Sequence, residues 1–321
     1  MITFITFLRA LAACLITNSH YNGVYPLDFI ANGGLVGNAV FCAVSGYCLY
    51  HVKGSFPKWY GKRLFRCYLP VWVITAVYVL LGFFSLSDKG FLYSFCYPTR
   101  YHFISTIVIL YIPFYIVLKW SALRNNLPKV MLSLGAVALL YYLFFFDKTY
   151  YHIEDVRGLL YRATLFASML LGAWFRQSDG KYRNRLSKWH FLLVPILFGA
   201  YLVLAYIFNK KPALCQLQPA SLLCMILLVY YILRLFSGLD RKLEHLPKPV
   251  HRAVGFIAGM TLEIYVVQGE IIERIRPLFG FPLNWLALTA AILAAAAVLH
   301  FACTGIIKLI DHVKPKHPSP H

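Results

Sequence analysis

The composition of this 321-residue chain excludes an ordinary soluble domain. Hydrophobic residues make up 60% and charged residues 13% of the chain, and the mean hydropathy is +0.64. Such values are typical of polytopic membrane proteins. The formal net charge of +19 could suggest a nucleic-acid-binding protein. However, the basic residues cluster in loops between apolar segments, as in proteins whose loop charge orients membrane helices, so we expect no nucleic-acid partner.

Ten apolar segments come close to the length of about 20 residues that crosses a hydrocarbon core as a helix. If both termini are cytoplasmic, the loops on that side hold most of the 31 Lys and Arg residues, which is the usual bias. The sequence therefore predicts an all-α transmembrane bundle of ten helices, with one domain over residues 1–312 and a short basic tail, 313–321, that we expect to be disordered. The predicted spans are 2–20, 33–51, 68–86, 103–120, 129–146, 158–176, 190–208, 218–236, 253–272 and 284–308.

The first predicted span carries Arg9 and, eleven residues later, His20. On a helix these positions lie within about 20° of one face and roughly 16 Å apart along the axis. An ionisable group within a membrane helix indicates a functional site, because it is costly in hydrocarbon. The alternative is that Arg9 extends to one interface while His20 lies in water at the other. The helix alone does not decide between them.

A basic segment follows the second span and includes Lys62, Arg63 and Arg66. On a helix, Arg63 and Arg66 would share a face, because they are three residues apart, and their forked donors could bind a phosphate group. The alternative is a contact with anionic lipid that only fixes the orientation of the chain.

Several membrane-embedded polar residues have roles that spacing alone leaves open. Glu263 lies near mid-span and needs a cationic partner, for which Arg9 and Arg162 are available. Glu270 precedes Arg274 by four residues, so we expect a local ion pair.

Four further features are read as structural or left open. Ser45 and Gly46, in the second span, are expected to allow close helix packing. His300, in the alanine-rich last span, is interpreted as a helix-contact residue outside any site. The loop 21–34 has no Lys or Arg, and it either folds back to line a cavity or merely connects two helices. The eight cysteines include no CxxC pair, so we expect no metal site.

Several separated stretches, in order along the chain, together resemble the membrane-bound acyltransferase 3 family of bacterial inner-membrane enzymes. Arg9 and His20 match its arginine, ten residues, histidine pattern. The other similar stretches are GNAVFCAVSGY, KRLFRCYLP, FASMLLGAW and TLEIYVVQ. Three positions depart from the family pattern: Thr6 replaces a frequent acidic residue, Asn38 a valine and Gln268 a late histidine.

The resemblance implies an O-acyltransferase, commonly an O-acetyltransferase, of the bacterial inner membrane. Such an enzyme moves an acyl group from cytoplasmic acyl-CoA, such as acetyl-CoA, to a hydroxyl of a cell-envelope polysaccharide or lipid-linked glycan. His20 would then be the general base, because an imidazole with a pKa near ~6.5 can take the hydroxyl proton near neutral pH. Arg9 would orient the donor or stabilise charge. The remaining candidates are Lys62, Arg63 and Arg66 for the CoA phosphates, and Glu263, Tyr265, Arg162 and Ser45 as structural or site support.

Two other functions remain compatible with the residues. A transporter or flippase for a glycan or lipid-linked intermediate would also have many helices and buried charges, but it would need no CoA. A non-catalytic membrane partner of a polysaccharide assembly complex would tolerate loss of His20. Acyl-CoA bound to the purified protein would separate the enzyme from both.

Overall fold

The computed structural model describes residues 2–83, 85, 87, 90–97 and 99–313, and within them all regular structure is helical. Short 3-10 turns supplement the α-helices at Asp28–Ile30, Pro212–Leu217 and Arg276–Leu278. Residues 314–321 of the predicted tail, and parts of the predicted third span, lie outside the described residues. The α-helices are α1 (Thr3–Ser19), α2 (Gly34–Leu49), α3 (Phe56–Leu80), α4 (Gly90–Phe95), α5 (His102–Lys119), α6 (Ser121–Arg124), α7 (Leu127–Phe144), α8 (Leu159–Gln177), α9 (Asp179–Tyr182), α10 (Trp189–Lys210), α11 (Pro219–Glu244), α12 (Lys248–Gly259), α13 (Thr261–Ile275) and α14 (Leu283–Val313).

Each predicted span overlaps a helix, although α3 begins twelve residues before the predicted third span, and the ninth overlaps two helices, α12 and α13, that meet at a bend of 70°. Among the described residues, seven helices are long and apolar enough to cross a membrane, or eight if the bent pair is one span. The helix α1 has only 17 residues, and α8 is not among the seven. The chain is therefore an all-α, multi-pass membrane protein, whereas ten crossings and cytoplasmic termini stay predictions.

The helix α1 lies at the centre of the bundle, in contact with α2, α11, α12 and α13. Phe4, Leu8 and Ala12 on this helix are completely buried. At the periphery, α7 and α10 expose large apolar side chains such as Leu132 and Tyr206, as expected for surfaces that face lipid acyl chains. The polar groups of α1 consequently lie where protein rather than lipid surrounds them.

A close helix contact joins α2 to α8 through two glycines. A Cβ atom added at Gly46 would overlap the backbone carbonyl of Met169, and one added at Gly172 would overlap the carbonyl of Ala43. Small residues allow such close approach of backbones in membrane helices. The packing role predicted for Gly46 is therefore confirmed.

A buried carboxylate, Asp240 of α11, holds the start of α1. The side chain is 1% exposed and accepts a hydrogen bond of 2.8 Å from the backbone N–H of Phe4. Its second oxygen lies 2.6 Å from the guanidinium of Arg183. The carboxylate thereby satisfies a backbone donor in the first turn of α1, which has no partner within its own helix.

We expect Gly46→Ala to destabilise the protein by about 1–3 kcal/mol, because the added methyl group must displace the backbone of α8. Thermal unfolding in detergent measures the effect. The control is Gly199→Ala in α10, where an added Cβ would meet nothing within 4 Å. Equal melting temperatures for the two variants would contradict the close contact.

Replacing Asp240 with Asn should cost about 2 kcal/mol of stability, because hydrogen bonds to charged groups contribute about 1.5–3 kcal/mol each. The same unfolding assay applies, with the exposed Glu273→Gln as the charge-matched control. A melting temperature that falls no further for Asp240→Asn than for the control would show that α1 is held by apolar packing alone.

Candidate active site

A cavity of about 480 Å³ opens between α1, α2, α3, α5, α13 and α14, with Gly259 at the end of α12 also in its lining. This volume lies within the usual range of small-ligand sites. We call it the arginine cavity. Its polar lining comprises Arg9, Ser45, Cys48, Arg63, Arg66, Cys67, Tyr111, Glu263, His300, Cys303 and Thr304.

Three guanidinium groups face this cavity. Arg9 comes from the central helix α1, whereas Arg63 and Arg66 lie on α3, whose helical conformation puts both on one face as the spacing predicts. Arg66 is exposed, and Arg9 and Arg63 are half-buried. None of the three forms a salt bridge within 4.0 Å with any described residue, although the Arg63 guanidinium lies 5.7 Å from the Trp59 ring centroid. Unpaired cations around one cavity indicate a site for an anion.

The same cavity contains a carboxylate and an imidazole in direct contact. Nδ1 of His300 lies 2.9 Å from Oε1 of Glu263, which is 8% exposed. Glu263 thus contacts His300 directly, whereas neither Arg9 nor Arg162 comes within 4.0 Å of it, although the charges of Arg9 and Glu263 interact across the cavity. Arg162 lies in the first turn of α8 and does not line the cavity.

His300 is the residue that the sequence reading missed. A histidine in an alanine-rich helix usually makes a helix contact, and no local spacing connects it to Glu263. One signal was present: Glu263 needs a partner, and α13 and α14 are consecutive in the chain. Their contact brings together two residues that both lie far from the connecting loop.

His20 lies at the other end of α1 from the arginine cavity. It follows the last residue of that helix, is exposed, and does not line the cavity. Its separation from Arg9 of roughly 16 Å follows from the helix rise. Next to it is a second cavity of about 390 Å³, whose lining includes Thr17, Asn18, Tyr21, Tyr25, Trp285 and Thr289.

The loop 21–34 contributes to this second cavity. The side chains of Tyr21 and Val24 are 3% and 2% exposed, and the Tyr21 hydroxyl lies 3.0 Å from that of Thr289 on α14. The loop folds back onto the bundle, so the first of the two interpretations is confirmed.

Two other candidate residues, Lys62 and Tyr265, lie outside the arginine cavity. Lys62 is exposed and does not line the arginine cavity, although both arginines of the same segment do. Tyr265 also lies outside the lining, and its hydroxyl accepts a 3.1 Å hydrogen bond from the backbone N–H of Phe103 at the start of α5. Ser45, in contrast, lines the cavity.

The other polar contacts are local or connect helices. Glu270 and Arg274 form the expected pair at 3.6 Å. The side chain of Asn38 on α2 donates to the hydroxyl of Tyr161 on α8 at 2.9 Å. Gln268 is 1% exposed, and within the described part of the chain neither of its side-chain polar atoms has a hydrogen-bond partner. Among the described residues, no group of three or more His, Cys, Asp or Glu could hold a metal ion.

Comparison with known proteins identifies the family. A family model described as an acyltransferase domain, that of acyltransferase 3, matches residues 2–305. No curated protein and no solved structure matches the chain significantly. The matched region includes every residue of the arginine cavity except Ile307 and every helix except the end of α14. The chain, a multi-pass membrane protein, therefore belongs to the acyltransferase 3 family.

Proposed function

We propose that this protein is an O-acyltransferase of the bacterial inner membrane. It takes an acyl group, acetyl in the simplest case, from cytoplasmic acyl-CoA and places it on a hydroxyl of a cell-envelope polysaccharide or lipid-linked glycan. Family membership supports acyl transfer in general. The choice of donor rests on the arginine cavity, and the choice of acceptor rests on the resemblance alone.

The observation that carries the proposal is three unpaired guanidinium groups around one cavity. CoA carries several phosphate oxygens, which suit the forked donors of Arg63 and Arg66. A role in anionic lipid binding would account for the exposed Arg66, but not for the half-buried Arg9 and Arg63 in a cavity that also holds Glu263. Lys62 would then contribute only to the positive potential outside the mouth.

In the proposed reaction, the acceptor hydroxyl attacks the thioester carbonyl carbon. A C–O bond forms, the C–S bond breaks, and CoA leaves with the electron pair on sulfur. His20 takes the hydroxyl proton. Arg9, between the phosphate-binding arginines and His20, orients the donor so that its acyl end is directed toward His20.

This arrangement divides the site along α1. The donor phosphates remain near Arg63 and Arg66, while the acyl end extends past Arg9 toward His20. The acceptor approaches from the side of the loop 21–34, where Tyr21 and Tyr25 line the second cavity. The helix α1 would thus span the distance between the two substrates.

The double variant Arg63→Ala/Arg66→Ala should lose at least 10-fold in affinity for acetyl-CoA, because charged hydrogen bonds contribute about 1.5–3 kcal/mol each. Equilibrium binding of radiolabelled acetyl-CoA to the purified protein measures this loss. The control is Lys58→Ala, an exposed cation on α3 outside the cavity. If the wild-type protein binds no acetyl-CoA, the proposed function is wrong and transport becomes the leading alternative.

For His20→Ala we expect acetyl transfer to fall by about 10²–10⁴-fold, the usual contribution of a general base. Acetyl-CoA affinity should stay within about 2-fold, because His20 lies outside the arginine cavity. Transfer of label to an envelope-glycan fraction measures the rate, and the exposed His245→Ala at the end of α11 is the control. Unchanged transfer by His20→Ala would remove the base assignment.

A further inference from the structure

A groove of about 830 Å³ runs between α7, α8 and α11, and the proposed reaction does not use it. The helices α7 and α11 both pack against α8 but have no extensive contact with each other, and the space between them is the groove. Small residues of its lining, such as Gly135, Ala163 and Ala167, keep it open. A Cβ atom added at Gly135 would meet nothing within 4 Å.

The groove opens on a surface that faces the membrane. Leu132 and Leu139 of α7 and Leu223 and Leu227 of α11 line it and are exposed. Both helices are long and apolar enough to cross a membrane. An unfilled gap between helices would lose dispersion contacts along its walls. In a bilayer, we therefore expect a hydrocarbon chain to fill this groove.

An arginine without an ionic partner lies at one end of the groove. Tyr230 is the last residue of α11 in the lining, and Arg234 follows four residues later on the same face of the helix. Nη1 of Arg234 donates a hydrogen bond of 3.1 Å to the Tyr230 hydroxyl. The guanidinium forms no salt bridge with any described residue, and neither its Nε nor its Nη2 donates to one. This end of the groove thus offers a charged, forked donor to an anion.

A second cation, Lys129, lies at the same end. The Tyr142 hydroxyl near the end of α7 donates a 2.7 Å hydrogen bond to the carbonyl of Gln216, just before α11 begins. The two helices therefore run in opposite directions along the groove, and the start of α7 lies beside the Arg234 end of α11. Lys129 is exposed there and forms no salt bridge with a described residue. Two positive charges favour a ligand with a net negative charge.

The charge and the apolar length together select a phospholipid. Arg234 lies fifteen residues from Pro219, where the groove ends on α11, which is about 22 Å of the roughly 30 Å thickness of a hydrocarbon core. A phosphate ion would occupy only the cationic end, and an uncharged lipid only the apolar length. A helix from a second copy of the chain would fill the groove but leave Arg234 without an anion.

We propose that the groove binds one anionic phospholipid of the membrane, with its phosphate group at Arg234 and an acyl chain between α7, α8 and α11. This lipid is a bound structural ligand and not the acyl acceptor. Arg234 lies six residues before Asp240, which holds the start of α1, whereas His20 follows the other end of α1. The proposal is independent of the proposed acyl transfer and includes no covalent step.

The test measures binding of dioleoylphosphatidylglycerol and dioleoylphosphatidylcholine to the delipidated protein by native mass spectrometry. We expect Arg234→Gln to weaken binding of the anionic lipid at least 10-fold, because charged hydrogen bonds contribute about 1.5–3 kcal/mol each. Gly135→Leu puts a side chain into the groove and should weaken binding of both lipids. The controls are Lys242→Gln, an exposed cation of α11, and Gly199→Leu in α10, where an added Cβ also meets nothing within 4 Å. Both should stay within about 2-fold of wild type.

Several results would overturn the proposal. Equal binding of phosphatidylglycerol by wild type and Arg234→Gln would remove the phosphate site. Equal binding by wild type and a folded Gly135→Leu variant would place the acyl chain elsewhere. If dihexanoylphosphatidylglycerol or inorganic phosphate bound as tightly as the dioleoyl lipid, the groove would have no role. A wild-type dimer that Gly135→Leu converts to a monomer would assign the groove to a second copy. The Arg234 variant and the short-chain lipid decide the proposal even if Gly135→Leu does not fold.

Discussion

The site depends on one physical constraint, the placement of a charged guanidinium on the central helix of a membrane protein. Arg9 lies on α1, which packs against four other helices, and its charge would be costly in an apolar contact. The polar cavity at this level of the bundle avoids that cost, because it surrounds the Arg9 guanidinium with polar groups. The helix α3 supplies two further cations, and α13 supplies Glu263, the one carboxylate among the described residues of the lining. An anionic ligand would complete the charge balance that the protein leaves open.

The packing of the bundle determines the shape of this cavity. Glycines at the α2–α8 contact let the two backbones approach closely, which places Ser45 and Cys48 of α2 at the cavity wall. The 70° bend between α12 and α13 falls at Met260, three residues before Glu263. Without this bend, the side chains of α13 that follow it, including Glu263, would point in a different direction. Close contact on one side and a bend on the other thus leave a space lined by polar groups.

The proposed chemistry separates the donor from the acceptor along one helix. Arg9 and the cavity lie near the start of α1, where Asp240 holds the helix to α11. His20 and the folded-back loop lie at its other end. A fixed helix with anchored ends can hold the two binding regions in a defined relative position, so that the acyl end of a bound donor meets the acceptor hydroxyl in the right orientation. Asp240 lies outside the cavity, but it supports the proposed acyl transfer by holding the start of α1 in place.

The sequence by itself determined the all-α membrane class, the approximate place of each helix, and the candidates Arg9, Arg63, Arg66 and Ser45 that line one cavity. These follow from apolar length, loop charge and helical spacing, which are local properties. Only the tertiary structure decided that Glu263 contacts His300 directly, that Lys62 and Tyr265 lie outside the cavity, and that His20 is remote from it. The reason is that a pairing between helices depends on their rotation, tilt and bending, and periodicity within one helix contains no information about which neighbour its polar face meets.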